Sequence, residues 1–204
     1  MMKHFLAVAG NIGVGKSTFA KMLAERFQAK LFCEQYVDNP YLKDFYENMK
    51  KWSFHSQIFF LIHNFRTHFQ IQNSEEPSVQ DRTIYEDSEI FAVNLFHQGL
   101  MSHRDYQCYQ ALYSALLPLL RYPDLIIYLR ASVETLLTRI QRRRRHFEQP
   151  ISSTYLQQLN QAYDVWATTM KNNTQLFTIE TDSFDPFSDK ATLEMIFQNI
   201  SQLC

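Results

Sequence analysis

The sequence predicts an α/β domain with a five-stranded parallel sheet and helices on both faces. Three observations carry this. Short apolar runs of strand length alternate with stretches of helical apolar spacing along the whole chain. Three of only four glycines fall in one loop, between the first apolar run and the first helical stretch. A chain of 204 residues, 46% of them hydrophobic, suits one domain with a full core.

The first run, Phe5–Ala9, reads as a core strand, and Thr18 to Phe27 has helical spacing. Leu31–Cys33 is the second strand. Trp52 to Ile71 reads as one long helix, on which Phe54, Ile58, Phe59, Leu61, Ile62, Phe65 and Phe69 form a broad apolar stripe. Asn73-Ser74-Glu75-Glu76-Pro77-Ser78 breaks that helix and leads into a third strand, Val79 through Thr83-Ile84. Pro118 and Pro123 bracket the entry to the fourth strand, Leu125–Leu129, and Leu176–Ile179 is the fifth. Asp124 starts the fourth strand and so lies at the end of the sheet away from the first loop. No repeat or low-complexity linker interrupts the series.

Composition narrows the class. A net charge of −1 lacks the basicity of a nucleic-acid binder. Cys33, Cys108 and Cys204 are an odd number at wide spacings, which argues against a disulfide framework or a zinc site and fits a reducing cytosol. No apolar run reaches the roughly 18 residues of a membrane span. The apolar N-terminal segment leads straight into the glycine loop, as a core strand does and a signal peptide does not.

That loop, Gly10-Asn11-Ile12-Gly13-Val14-Gly15-Lys16-Ser17-Thr18, matches G-x-x-x-x-G-K-[ST]. Its glycines let backbone N–H groups converge on phosphate oxygens. Lys16 brings a charge to the β- and γ-phosphates, Ser17 offers a hydroxyl to Mg²⁺, and the following helix directs its positive end at the same anion. The chain therefore binds a nucleoside triphosphate.

Ligands of open parallel sheets sit beyond the carboxyl ends of the strands. Glu34 follows the second strand, expected beside the loop strand, and is the best candidate for a base. Asp81-Arg82 ends the third. There Asp81 suits Mg²⁺ or its waters, and Arg82 suits a phosphate or the orientation of Glu34. An ordinary ion pair is the plain alternative for Asp81-Arg82. Arg142-Arg143-Arg144-Arg145, with Arg139 one turn earlier, fits a lid over about 139–150 that closes on the triphosphate. A solvated charged face is its plain alternative.

Together these residues resemble the deoxyribonucleoside kinase family, including bacterial deoxyguanosine and deoxyadenosine kinases. The resemblance spans nearly the whole chain as a single domain, 1–204. Besides the loop and Glu34 it rests on Asp38-Asn39-Pro40-Tyr41-Leu42, Phe45-Tyr46 and Trp52-Ser53-Phe54 with Gln57. It continues in Gln80-Asp81-Arg82-Thr83-Ile84-Tyr85-Glu86-Asp87, Ile90-Phe91-Ala92, Asp105-Tyr106, Pro123 to Leu129, and Arg139-Ile140 through Glu148-Gln149. It implies a P-loop kinase that uses ATP and Mg²⁺, a cytoplasmic place and a homodimer. Glu34 is similar to the family's base at the 5′-hydroxyl, Arg82 to the arginine beside it, and Asp81 to the acid near the metal. Tyr46 and Glu148 are similar to the pair that holds the 3′-hydroxyl. Gln57 corresponds to the glutamine on the base edge, Asp87 to the acid at its far side, and Arg139, Arg143 and Arg145 to lid arginines.

Departures cluster near the nucleobase. Gln35 replaces a usual proline, Asn64 a frequent arginine, Ser56 a frequent aromatic, and Arg144 the glycine of an R-G-R lid. Asp87 argues against a thymidine pocket, so the expected acceptor is a purine deoxynucleoside, with deoxycytidine second. Two rivals are a thymidylate or nucleoside monophosphate kinase, and a P-loop RNA-binding regulator using Arg142 to Arg145. The first usually carries an acid where this loop has Asn11-Ile12.

Overall fold

Strand β1 (Phe5–Gly10) is buried at every position. A strand covered on both faces must be apolar continuously rather than alternately, and Phe5 to Ala9 is. The computed structural model describes residues 4–33, 39–145 and 151–203. Within them β1 is the middle of a parallel sheet ordered β2-β3-β1-β4-β5. The other strands are β2 (Lys30–Phe32), β3 (Ser78–Asp81), β4 (Leu125–Arg130) and β5 (Gln175–Glu180). Val8 stands level with Asp81 on one side and Ile127 on the other, which sets the ends of three strands at one edge.

From β1 the chain passes through α1 (Lys16–Phe27) to β2, then returns through α2 (Leu42–Glu47) and α3 (Met49–Gln72) to β3. The route to β4 runs through α4 (Ile84–Glu86), a π-helical turn (Asp87–Ala92), α5 (Val93–His97) and α6 (His103–Leu116). The route to β5 uses α7 (Val133–Arg143) and α8 (Ser153–Met170), and α9 (Lys190–Leu203) follows. Right-handed crossovers put α1 on one face and the later connections on the other. Helix α9 joins α1, through Phe197 against Phe19 at 6.1 Å and Glu194 bonded to Arg26 at 2.9 Å.

Two expectations need correction. The third strand stops at Asp81, and Thr83-Ile84 is not part of it. Arg82 adopts a left-handed backbone (φ +66°) that ends the extension, and Thr83 then caps α4 in a reciprocal box with Glu86. Strand β2 lies beside β3 rather than beside the loop strand. The apolar stripe of α3 packs on the core only in part, through Leu61 with Phe54, Ile58, Phe59 and Phe65. Of those seven residues only Leu61 is buried, while Ile62 and Phe69 are 44% and 45% exposed. The inner face carries Ser53, Ser56, Gln57, Asn64 and His68 with Phe60, Leu61 and Ile71. Of this face Gln57 and Phe60 line a cleft, while Ser53, Ser56, Asn64 and His68 are bonded to protein groups.

His68 makes part of this face sensitive to acid. It is fully buried, with rings of Phe5 and Tyr85 edge-on at 4.8 and 5.6 Å, and its Nε2–H donates to the Arg121 carbonyl at 2.7 Å. Burial pushes its pKa down from 6.5 to about 4, against the opposing pull of that carbonyl bond. The folded value lies below the unfolded one, so the unfolded chain binds the proton first as pH falls. Stability is full above pH 6.5 and is lost on the way to pH 4, by about 3 kcal/mol. Denaturant titrations across this range should give that slope, and His68→Gln should remove this portion of it.

Among the described residues no helix is long and apolar enough to cross a membrane. Cys33 and Cys108 are free and exposed.

Candidate active site

The glycine loop is built by backbone that other residues cannot adopt. Gly10 has φ +147°, and a Cβ there would stand 2.6 Å from the Leu129 carbonyl oxygen. At Gly13 (φ +87°) it would stand 2.9 Å from the Leu136 carbonyl oxygen. Gly15, at φ +105°, caps α1 without a side chain, and the first turn of α1 holds no acid. The N–H groups of that turn thus present the positive end of the helix to the cleft. Asn11 turns its side chain inward, donating to the Leu156 carbonyl at 3.0 Å and to Asn160 at 2.7 Å on α8. The Asn11 carbonyl accepts from Lys16 Nζ at 3.2 Å, which holds the ammonium over the loop.

The carboxyl end of β3 meets this loop. Ser17 Oγ donates to Asp81 Oδ2 at 2.6 Å. Arg82 is 4% exposed, its guanidinium stacks 4.3 Å from the Phe91 ring centre, and Nη1 donates to Tyr163 Oη at 3.1 Å. Beyond α4 the chain delivers Asp87, whose Oδ2 accepts from Asn64 Nδ2 at 2.5 Å. Gln57, two turns before Asn64 on α3, is 3% exposed, and its Oε1 has no hydrogen-bond partner among the described residues. A buried acceptor left open is costly unless a ligand fills it.

These groups surround one cleft of about 810 Å³. Its walls include Ile12 to Thr18 at one end and Tyr46, Gln57, Arg82, Asp87 and Phe91 at the other. Gly10, Asn11 and Asp81 support it from behind. Arg139, Arg142, Arg143 and Arg145 line the same cleft, so the arginine run faces the phosphate loop. Arg139 is already tied in place, donating to the Val14 carbonyl and to Thr181 Oγ1, both at 2.9 Å. Arg144, at the position where the family places glycine, has φ +51° and ends α7 in the left-handed conformation that glycine takes without strain. Asp182, Ser183, Phe184 and Asp185, in the turn after β5, also line the cleft. Trp52 packs on Tyr41 and His55. Glu34 and Glu148 lie outside the described residues.

Two buried residues behind the cleft were not anticipated. Glu86, 0% exposed, accepts from Gly10 N, Thr83 N and Tyr163 Oη. Its signal was present as Thr83-x-x-Glu86, a capping box, hidden by extending the third strand through it. Tyr163 sits mid-helix in α8 and has no local signal.

A family model for deoxynucleoside kinases matches residues 6–204. The deoxyadenosine/deoxycytidine kinase of Bacillus subtilis (strain 168) is 36% identical over 200 residues, covering 97% of this chain and 92% of that protein. The deoxyguanosine kinase of the same organism is 34% identical over 203 residues, covering 98% and 97%. A deoxyadenosine kinase from M. mycoides, solved with the products dCMP and a flexible dCDP bound, superposes with a TM-score of 0.85 at 28% identity, covering 97% of this chain and 99% of that one. Likeness over the full length, joined to a phosphate loop and a polar pocket that share one cleft, leaves one conclusion: the chain belongs to the deoxynucleoside kinase family and is a kinase.

Proposed function

We propose that this kinase transfers the γ-phosphoryl group of ATP to the 5′-hydroxyl of a purine deoxynucleoside, with deoxycytidine as second choice, for nucleotide salvage. The observation that carries this is the two-ended cleft, with a phosphate loop at one end and the open Gln57 acceptor beside Asp87 at the other. Lys16 and the α1 amides hold the donor phosphates in line with the acceptor. Arg82 offers positive charge where it accumulates during transfer, and the buried setting strengthens that effect. Glu34 takes the proton of the attacking hydroxyl. Tyr46 and Glu148 hold the 3′-hydroxyl. Gln57 presents one acceptor and one donor to the base edge, and the Asp87 carboxylate accepts from a further N–H of the base. Arg139, Arg143 and Arg145 cover the triphosphate and keep water out.

Ser17 and Asp81 give hard oxygen donors of the kind Mg²⁺ takes, and would hold the ion where it offsets charge on the β- and γ-phosphates. Free, exposed Cys33 and Cys108 suit a reducing cytoplasm. The whole chain acts as one domain. Its exposed apolar residues, Ile62 and Phe69 on α3 with Leu112 on α6, support a homodimer through that face, and sedimentation of the native chain reads its state. A monomer at micromolar concentration would overturn that assembly.

Base preference is tested by offering ATP·Mg²⁺ with each of the four deoxynucleosides and following the products by chromatography. The expected order puts the better purine deoxynucleoside above thymidine by about 10²-fold in kcat/KM, because a mismatched base leaves Gln57 and Asp87 unpaired. Thymidine as the best acceptor would overturn this assignment.

A further inference from the structure

We infer that Glu86 is a positioning residue that holds the start of the phosphate loop and Arg82 in one register, through a relay completed by Tyr163. This rests on the phosphoryl-transfer reading above, and names a residue that touches neither substrate.

Glu86 has no exposed surface. One of its oxygens, Oε1, accepts from the Gly10 amide at 3.2 Å and from Tyr163 Oη at 2.9 Å. The other, Oε2, accepts from Thr83 N at 2.9 Å and Thr83 Oγ1 at 3.3 Å. Tyr163 Oη in turn accepts from Arg82 Nη1 at 3.1 Å. Four donors therefore converge on one carboxylate from three separate segments: the end of β1, the turn after β3, and the middle of α8.

Helix capping alone does not account for this arrangement. A capping box needs the contacts at Thr83 and nothing more. The Oε1 contacts reach across the fold, over 76 residues to Gly10 and 77 to Tyr163. Burying a carboxylate is expensive, and burial pushes the Glu86 pKa up while Arg82 and Lys16 pull it down. What the carboxylate gains is geometry. Gly10 opens the loop, and its amide is taken by Glu86 rather than left for phosphate. Arg82 has a left-handed backbone, and the capped Thr83 immediately after it fixes where that strained residue points. The same side chain thus sets the donor end of the cleft and the arginine at its middle. Displacements of about 1 Å at such a site cost about 10²-fold in rate.

Two conservative variants separate the two ends of the relay. Tyr163→Phe removes the hydroxyl that links Glu86 to Arg82. It should lower kcat about 10-fold while ATP affinity, read by calorimetry without any nucleoside, stays within twofold. Glu86→Gln keeps shape and an oxygen for Thr83, but turns a donor toward Gly10 or Tyr163. It should lower kcat by about 10- to 100-fold and weaken ATP binding about 10-fold. Because the residues act in one chain, the double variant should lose less than the product of the two single losses. A purely structural Glu86 predicts lower melting temperatures with kcat and ATP affinity unchanged in both variants. Tyr163→Phe with kcat within twofold of wild type, or kinetic losses that multiply, would overturn the relay. If Glu86→Gln does not fold, Tyr163→Phe alone decides it. Failure of wild type to phosphorylate any nucleoside strikes the function proposed above instead, while the calorimetric arm still reads the loop.

Discussion

Gly10→Ala is expected to destabilise the fold by about 3 kcal/mol or more and to abolish ATP binding. Two penalties combine. The backbone there has φ +147°, where side chains are rarely tolerated, and the new Cβ would stand 2.6 Å from Leu129 O and 2.9 Å from Val14 Cγ1. Leu129 cannot yield. It lies in β4, paired with Gly10 itself at the centre of the sheet, so moving its carbonyl disturbs the register of β1 against β4. Gly15→Ala provides the contrast. Its Cβ would meet nothing within 4 Å, and only the φ of +105° counts against it. That variant should lose about 1–2 kcal/mol and remain folded. Denaturant midpoints for the two proteins, with calorimetric titration of ATP, check both figures. Equal midpoints would mean that the packing of Gly10 against β4 contributes nothing.

The sequence revealed the donor end of the cleft more fully than its supports. The glycine loop is contiguous, so spacing alone exposes it, and strands β1 and β4 are apolar runs that a fully covered strand must be. The stripe on α3 does not reveal which of its polar residues are buried, because apolar patterning marks the inward face only where the interior is apolar. Here Gln57 lines the polar cleft, Asn64 is held by Asp87 and His68 by the Arg121 carbonyl, so all three are buried while Ile62 and Phe69 are left outside. Resemblance, rather than periodicity, picked out Gln57 and Asp87, and both line the cleft. Glu86 and Tyr163 are 77 residues apart, and contact across such a separation leaves no trace in local pattern. The third strand ran too far in the sequence reading because Thr83-Ile84 has strand-like composition. The left-handed turn at Arg82 overrides that composition.

We propose that Glu34 is the carboxylate that takes the proton of the acceptor hydroxyl. Strand β2 ends at Phe32, which pairs with Gln80, the residue before Asp81 and Arg82. The chain therefore exits at the edge where those two residues leave β3. Glutamine at position 34 keeps size and hydrogen-bonding capacity but cannot accept a proton at neutral pH. Nothing about the phosphate loop or the base pocket changes with it, so binding should persist while the chemical step slows. Steady-state kcat of Glu34→Gln, measured at saturating ATP·Mg²⁺ and purine deoxynucleoside with folding checked by thermal melting, is the most direct test. The expected result is a loss of about 10²–10⁴-fold in kcat with ATP affinity retained. A kcat within twofold of wild type would contradict it.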